Sequence, residues 1–177
     1  MFKKILLGLT IIVLIFIGFI AFQLSNNSTQ SPPSNISIQS EELAISIDYH
    51  RPFKKGRNIF GGLVPYGKYW RTGANNATEI EFNKDVHFGD QKVSAGRYRL
   101  YTIPNENTWK IVLNSELGKW GLFEPDNSLD ILTIEVSSLV STEIQEQFQI
   151  ALEASDKRAI LSMVWDQTKV EVPILWD

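Results

Sequence analysis

The 177-residue sequence contains no cysteine and two histidines, His50 and His87. Without cysteine there is no disulfide framework, no thiolate zinc or iron–sulfur site, no cysteine nucleophile and no lipid-bearing cysteine. Two histidines exclude a metal triad built from histidine alone, and their spacing suggests no metal site. No metal and no cofactor is expected. Helical periodicity is also scarce. After Leu24 no stretch holds a helical period beyond two turns, and Ser137 to Gln147 is the best helical candidate. Hydrophobic residues at 44% and charged residues at 21% fit one ordinary globular domain.

What is present begins with a basic start, Met1 to Lys4, and an uncharged run of 18 residues from Ile5 to Phe22. As a helix this run spans roughly 27 Å, close to the ~30 Å of a bilayer core. Residues 5–22 are therefore expected to anchor the chain in a membrane. A cleaved signal peptide competes with this reading, but Gln23 stands where a small residue is wanted. Lys3 and Lys4 stay cytoplasmic by the positive-inside rule, which places the rest outside, in a periplasm or at a cell surface. The organisation expected is an anchor over 1–24, a polar tether over 25–35 (SNNSTQSPPSN) and a domain over 36–177.

Within that domain the dominant period is two. LAISIDY, EIEF, VHF, RYRLYTI, TWKIVLN, DILTIEV, EQFQIAL, AILSMVW and KVEVPIL alternate, separated by turn signals such as FGD, SAG and EPDNS. In RYRLYTI, Tyr98 and Leu100 face one way, Arg97, Arg99 and Tyr101 the other. The fold class expected is all-β, an antiparallel sandwich, jelly-roll-like or barrel-like, behind one N-terminal transmembrane helix.

One stretch breaks the alternation: Tyr49 to Thr78, YHRPFKKGRNIFGGLVPYGKYWRTGANNAT. It holds six of the 17 basic residues and none of the 20 acids, so it carries +6 while the rest of the chain carries −9. Such asymmetry points to an anionic partner. Long ordered loops tend to be functional. Nucleic acid is not expected, because the anchor would place the loop away from the cytoplasm.

This stretch, followed by AGRYRLYTIP and the tryptophan of TWKIVLN, resembles the bacterial domain-of-unknown-function family DUF2911 from about Ile38 to Ile174. The resemblance implies an exported, β-rich domain and no assigned reaction. His50 stands where the family often has serine, and Ser94 replaces a proline before the AG turn.

Candidate residues follow from chemistry. Arg51, Arg57 and Arg71 lie beside the glycine-rich bend IFGGLVPYG, where guanidiniums and open amides suit a carboxylate, phosphate or sulfate. The alternative is that Arg57 and Arg71 pair with Asp48, Glu79 or Glu81 and pin the loop to the sheet. Lys54 and Lys55 fit a solvated turn. Tyr66, Tyr69, Trp70 and Trp109 are candidates for a stacking platform under a sugar or aromatic ring, although aromatics in a β-sandwich more often pack in the core or at its rim. Asn75, in the GAN triplet, tolerates a positive φ and could orient a polar ligand. Asp48, Glu79 and Glu81 are the acids nearest the loop and the weak candidates for hydrolytic catalysis. His50 could act as a base beside them, while His87 belongs on the surface. The leading reading is an extracytoplasmic domain that binds a small anionic or carbohydrate-like ligand or an envelope polymer. A hydrolase of envelope material and a purely structural module are the rivals.

Overall fold

The computed structural model describes residues 10–20 and 29–177. Residues 10–20 form a helix; the rest of the segment expected to cross a membrane, 5–9 and 21–22, lies outside the described residues. Among the described residues no helix is long and apolar enough to cross a membrane.

The regular structure that follows is almost all antiparallel strand, as the period of two requires, joined by loops and a 3-10 turn over Asn127–Leu129. The strands are β1 (Pro33–Gln39), β2 (Ala44–His50), β3 (Thr78–Phe82), β4 (Val86–Phe88), β5 (Gln91–Val93), β6 (Gly96–Pro104), β7 (Thr108–Asn114), β8 (Asp130–Ser155) and β9 (Arg158–Leu175). They form one nine-stranded sheet in the order β1-β2-β3-β6-β7-β8-β9-β4-β5. In β2, Ile45, Ile47 and Tyr49 are buried while the residues between them are half-buried, the pattern of a strand with one face on a core. β8 carries the sheet round on itself. Its first part pairs with β7 up to Ser137, and the remainder pairs with β9. The curl brings β2 against the later part of β8, so that the Tyr49 hydroxyl donates to the Ile150 carbonyl at 3.2 Å and accepts from the Ile150 amide at 3.1 Å.

Two expectations need correction. Ser137 to Gln147 is extended, not helical. Its register shifts between Val140 and Gln145 and again before Gln149, and its backbone bonds sideways, with Lys54 N donating to Glu146 O and Phe148 N to Pro52 O. Bulges of this kind let a long strand bend without leaving the sheet. The stretch 25–35 is also not all tether. β1 begins at Pro33, and Ile36 and Ile38 pack on the core from this edge strand, where a proline at the first residue costs no ladder bond.

The long loop after β2 is held by aromatic packing. Phe60 and Trp70 insert beside Trp109, Phe148 and Trp165, with Phe60–Trp109 centroids at 4.8 Å, Trp70–Phe148 at 5.0 Å and Trp70 stacked on Trp165 at 5.9 Å. Ile59 and Val64 are buried with them. Trp70 also exchanges backbone hydrogen bonds with Thr102 of β6, so the loop is ordered by the same forces as the strands.

Candidate functional site

The basic residues of the loop have separate fates. Lys54 is an exception to the solvated turn expected of it: its ammonium pairs with Asp166 at 2.5 Å, largely out of solvent. Arg51 donates through Nε to the Phe148 carbonyl at 3.2 Å, tying the loop to β8. Arg57 closes its own turn, with Nε on Lys54 O at 2.9 Å and a second nitrogen on Phe53 O. Arg71 is half-buried, and its one hydrogen bond among the described residues, to the Asn75 carbonyl, is long at 3.5 Å.

None of Arg51, Lys55, Arg57, Lys68 or Arg71 is ion-paired among the described residues. Residues 1–40 contain no acid, so the undescribed residues hold no side-chain carboxylate for them either. Burial lowers the pKa of Arg71; Tyr69 counters this, and the neighbouring Arg99 guanidinium adds to it. A half-buried cation facing another cation, with no counter-charge, is an unfavourable arrangement in an empty protein.

Arg71, Arg57 and Lys55 line one cleft of about 260 Å³, together with Leu63 and the edges of Trp70 and Trp165. No carboxylate lines it. The Trp165 indole N–H is buried with no hydrogen-bond partner among the described residues. Of the residues expected at a ligand site, the cleft thus gathers Arg57, Trp70 and Arg71. Arg51 and Asn75 do not line it; Asn75 has φ +57° and its amide donates to Ser31 O at 3.4 Å. Tyr66 lies exposed outside it. Trp70 and Trp109 are core residues, so no open platform forms from the four aromatics. Tyr69 is tied by its hydroxyl to Gly121 O and by Arg99.

The WRTGAN run has a backbone reason. Gly73 sits at φ +148°, and a Cβ there would stand 2.8 Å from the His50 carbonyl oxygen. Only glycine fits that approach. Gly73→Ala is therefore expected to cost at least about 1–3 kcal/mol, read as a lower urea midpoint.

The alternative pairing of the loop arginines with Asp48, Glu79 and Glu81 does not occur. Arg97 of β6 takes all three, at 2.7 Å to Asp48, 2.7 Å to Glu79 and 3.2 Å to Glu81. Strand register makes this possible. β3 sits between β2 and β6, placing Glu79 beside Asp48 and Glu81 beside Arg97 on one face. Burial pushes the Asp48 carboxyl up, but the hydrogen bonds from Asn35 and Arg97 outweigh it and hold it below the usual carboxylate range. That is the wrong direction for a general acid, which needs a raised value.

Asp48 and Glu79, with Arg97, floor a second, larger cleft of about 800 Å³ that includes His50, Asn76, Lys119 and Trp120. The same two stretches serve both clefts: His50 and Asn76 line one, Pro52 and Ala74 the other. Burial lowers the pKa of His50 below its ordinary value of 6.5. The unfolded chain then binds the proton first, so His50 subtracts stability as pH falls below about 6.5, levelling off at its folded value. Asp48 adds a further loss lower down, as pH falls through its depressed folded value. The His50→Gln variant is expected to flatten the upper part of that acid limb in urea midpoints measured against pH.

The sequence gives little sign of Arg97, Lys119 and Trp120 as site residues. The alternation of RYRLY places Arg97 on the outward face, but its three partners are set by strand pairing at long range.

Fold and clefts together define an antiparallel β-sheet domain with a cationic recess under an aromatic-plugged loop. A family model described as "Protein of unknown function (DUF2911)" matches residues 31–174, and the chain belongs to that family. No curated protein and no solved structure matches it.

Proposed function

We propose that the protein binds a small anionic ligand, bearing a carboxylate, phosphate or sulfate, in the recess formed by the loop over residues 51–75. Arg71 is the principal contact, with Arg57 and Lys55 at the rim and Trp70 and Trp165 forming the apolar wall. The observation that carries this reading is the half-buried Arg71 without a carboxylate partner, in a recess lined by two further cations and no acid. A planar guanidinium with free donors matches a bidentate oxyanion, and a bound anion would offset the repulsion from Arg99.

The same proposal includes the setting. We read the curled sheet as a β-sandwich, β1-β2-β3-β6-β7 facing β9-β4-β5 with β8 shared. Residues 5–22, uncharged throughout, attach it to a membrane and place the domain outside the cytoplasm.

Calorimetric titration of the full chain with inorganic phosphate, sulfate and citrate at constant ionic strength tests the binding. A saturable heat is expected for at least one of them, lost in Arg71→Met and retained in Lys68→Met. Equal heats in wild type and Arg71→Met would refute the site.

A further inference from the structure

The larger cleft differs from the anion recess in its charge and in its exposed aromatic. It is lined by two carboxylates, Asp48 and Glu79, and two cations, Arg97 and Lys119, so its charges balance and a neutral polar ligand suits it, whereas the recess holds cations alone. Each floor carboxylate is held from two sides. The oxygens of Asp48 take the Asn35 amide and Arg97, and those of Glu79 take the Gly118 amide and Arg97. A carboxylate has about four acceptor positions, so each retains capacity toward the cleft while its orientation is fixed.

The wall supplies the complementary surface. Of five tryptophans, four are buried, and Trp120 alone is exposed, at 43%. It is not on a free loop. Trp120 bridges Asn76, Ala77 N donates to Lys119 O at 3.2 Å, and Gly121 N donates to Asn75 O at 3.0 Å. Gly121 is pressed so closely against this segment that a Cβ would meet the Asn75 carbonyl oxygen at 2.9 Å. The indole is thus presented on a rigid edge beside fixed acceptors, with the Lys119 ammonium and the Asn35 amide as nearby donors.

A ring with an apolar C–H face and hydroxyl edges meets both demands at once: the face stacks on an indole, and the hydroxyls donate to carboxylates. From this juxtaposition of Trp120 with Asp48, Glu79 and Arg97, we infer that the larger cleft is a binding site for a neutral carbohydrate of one or two pyranose rings. Its volume of about 800 Å³ lies within the range of small-molecule sites. The inference does not depend on the anion recess, which can fail by itself.

Trp120 is also the reporter. Acrylamide quenching of tryptophan emission from the full chain reads mainly this residue, the others being buried. Titration with cellobiose, maltose and N,N′-diacetylchitobiose at millimolar concentration is expected to protect the quenchable fraction saturably for at least one sugar. For that sugar, calorimetry is expected to show binding lost in Trp120→Ala, retained in Trp120→Phe and weakened at least about tenfold in Glu79→Gln. Absence of protection by all three sugars overturns the inference. So does binding that survives Trp120→Ala, or protection by tetramethylammonium with none by sugar.

Discussion

Trp70→Ala is expected to lower stability by about 3–5 kcal/mol, the usual cost of removing a large buried aromatic. For a chain of this size that is a fall in Tm of about 10 °C or more. The indole is 7% exposed, packs on Phe60, Trp109, Phe148 and Trp165, and donates to the Gly73 carbonyl at 3.2 Å. Truncation therefore removes the plug that seats the loop over residues 51–75 and leaves the Gly73 carbonyl without its donor. Tyr66→Ala, on the same loop but exposed, is expected to stay within about 0.5 kcal/mol. Denaturant unfolding of the two variants side by side checks the assignment. Similar small losses would mean that Trp70 is a surface platform and that the packing described is wrong.

Arg99→Ala is expected to cost a similar amount, about 3–5 kcal/mol, for an electrostatic reason. Arg99 is completely buried. It donates to the Phe123 carbonyl at 2.5 Å and to the Tyr69 hydroxyl, pairs with Glu116 at 3.4 Å, and lies over the Tyr69 ring at 5.5 Å. Its Nε has no partner among the described residues. Removing the guanidinium strands the oxygens it serves, of which those of Glu116 and Phe123 lie on the segment that also carries Trp120. Arg99→Met, which fills the volume without a charge, is expected to lose less than Arg99→Ala. Equal losses would mean that the packing of the stem, and not the bonds of the head, holds this loop.

Much of the fold is legible in the alternation alone. AISIDYH, RYRLYTI and TWKIVLN all become strands; AISIDYH buries the face its alternation indicates, whereas in RYRLYTI Arg99 and Tyr101 are buried as fully as Tyr98 and Leu100. The bent middle of β8 is not legible. Ser137 to Gln147 loses its alternation at the bulges, and only the partners it meets, Pro52 to Lys54 and β9, make it a strand. Of the basic residues behind the loop's charge asymmetry, Lys54 meets Asp166, while Arg57 and Arg71 share one acid-free recess with Trp70. Their separate roles are not readable in the same way. Whether an aromatic is platform or plug depends on what lies 40 to 100 residues away, as Trp70 meeting Trp109 and Trp165 illustrates. The larger cleft is less legible still. Asp48, Glu79 and Arg97 converge by register, and Trp120 by two backbone bonds to residues 75–77.

The central claim is that Arg71 serves a ligand rather than the fold, and its most direct test is the melting of Arg71→Met with and without added anion. A half-buried cation with no counter-charge stabilises nothing by itself, so in anion-free buffer the variant is expected to melt at or above the wild-type temperature. An anion at 100 times its Kd is expected to stabilise the wild type by about 2.7 kcal/mol, a rise of roughly 5–10 °C, and to leave the variant unmoved. A variant that melts many degrees lower without anion, or that keeps the full rise with it, would contradict the account.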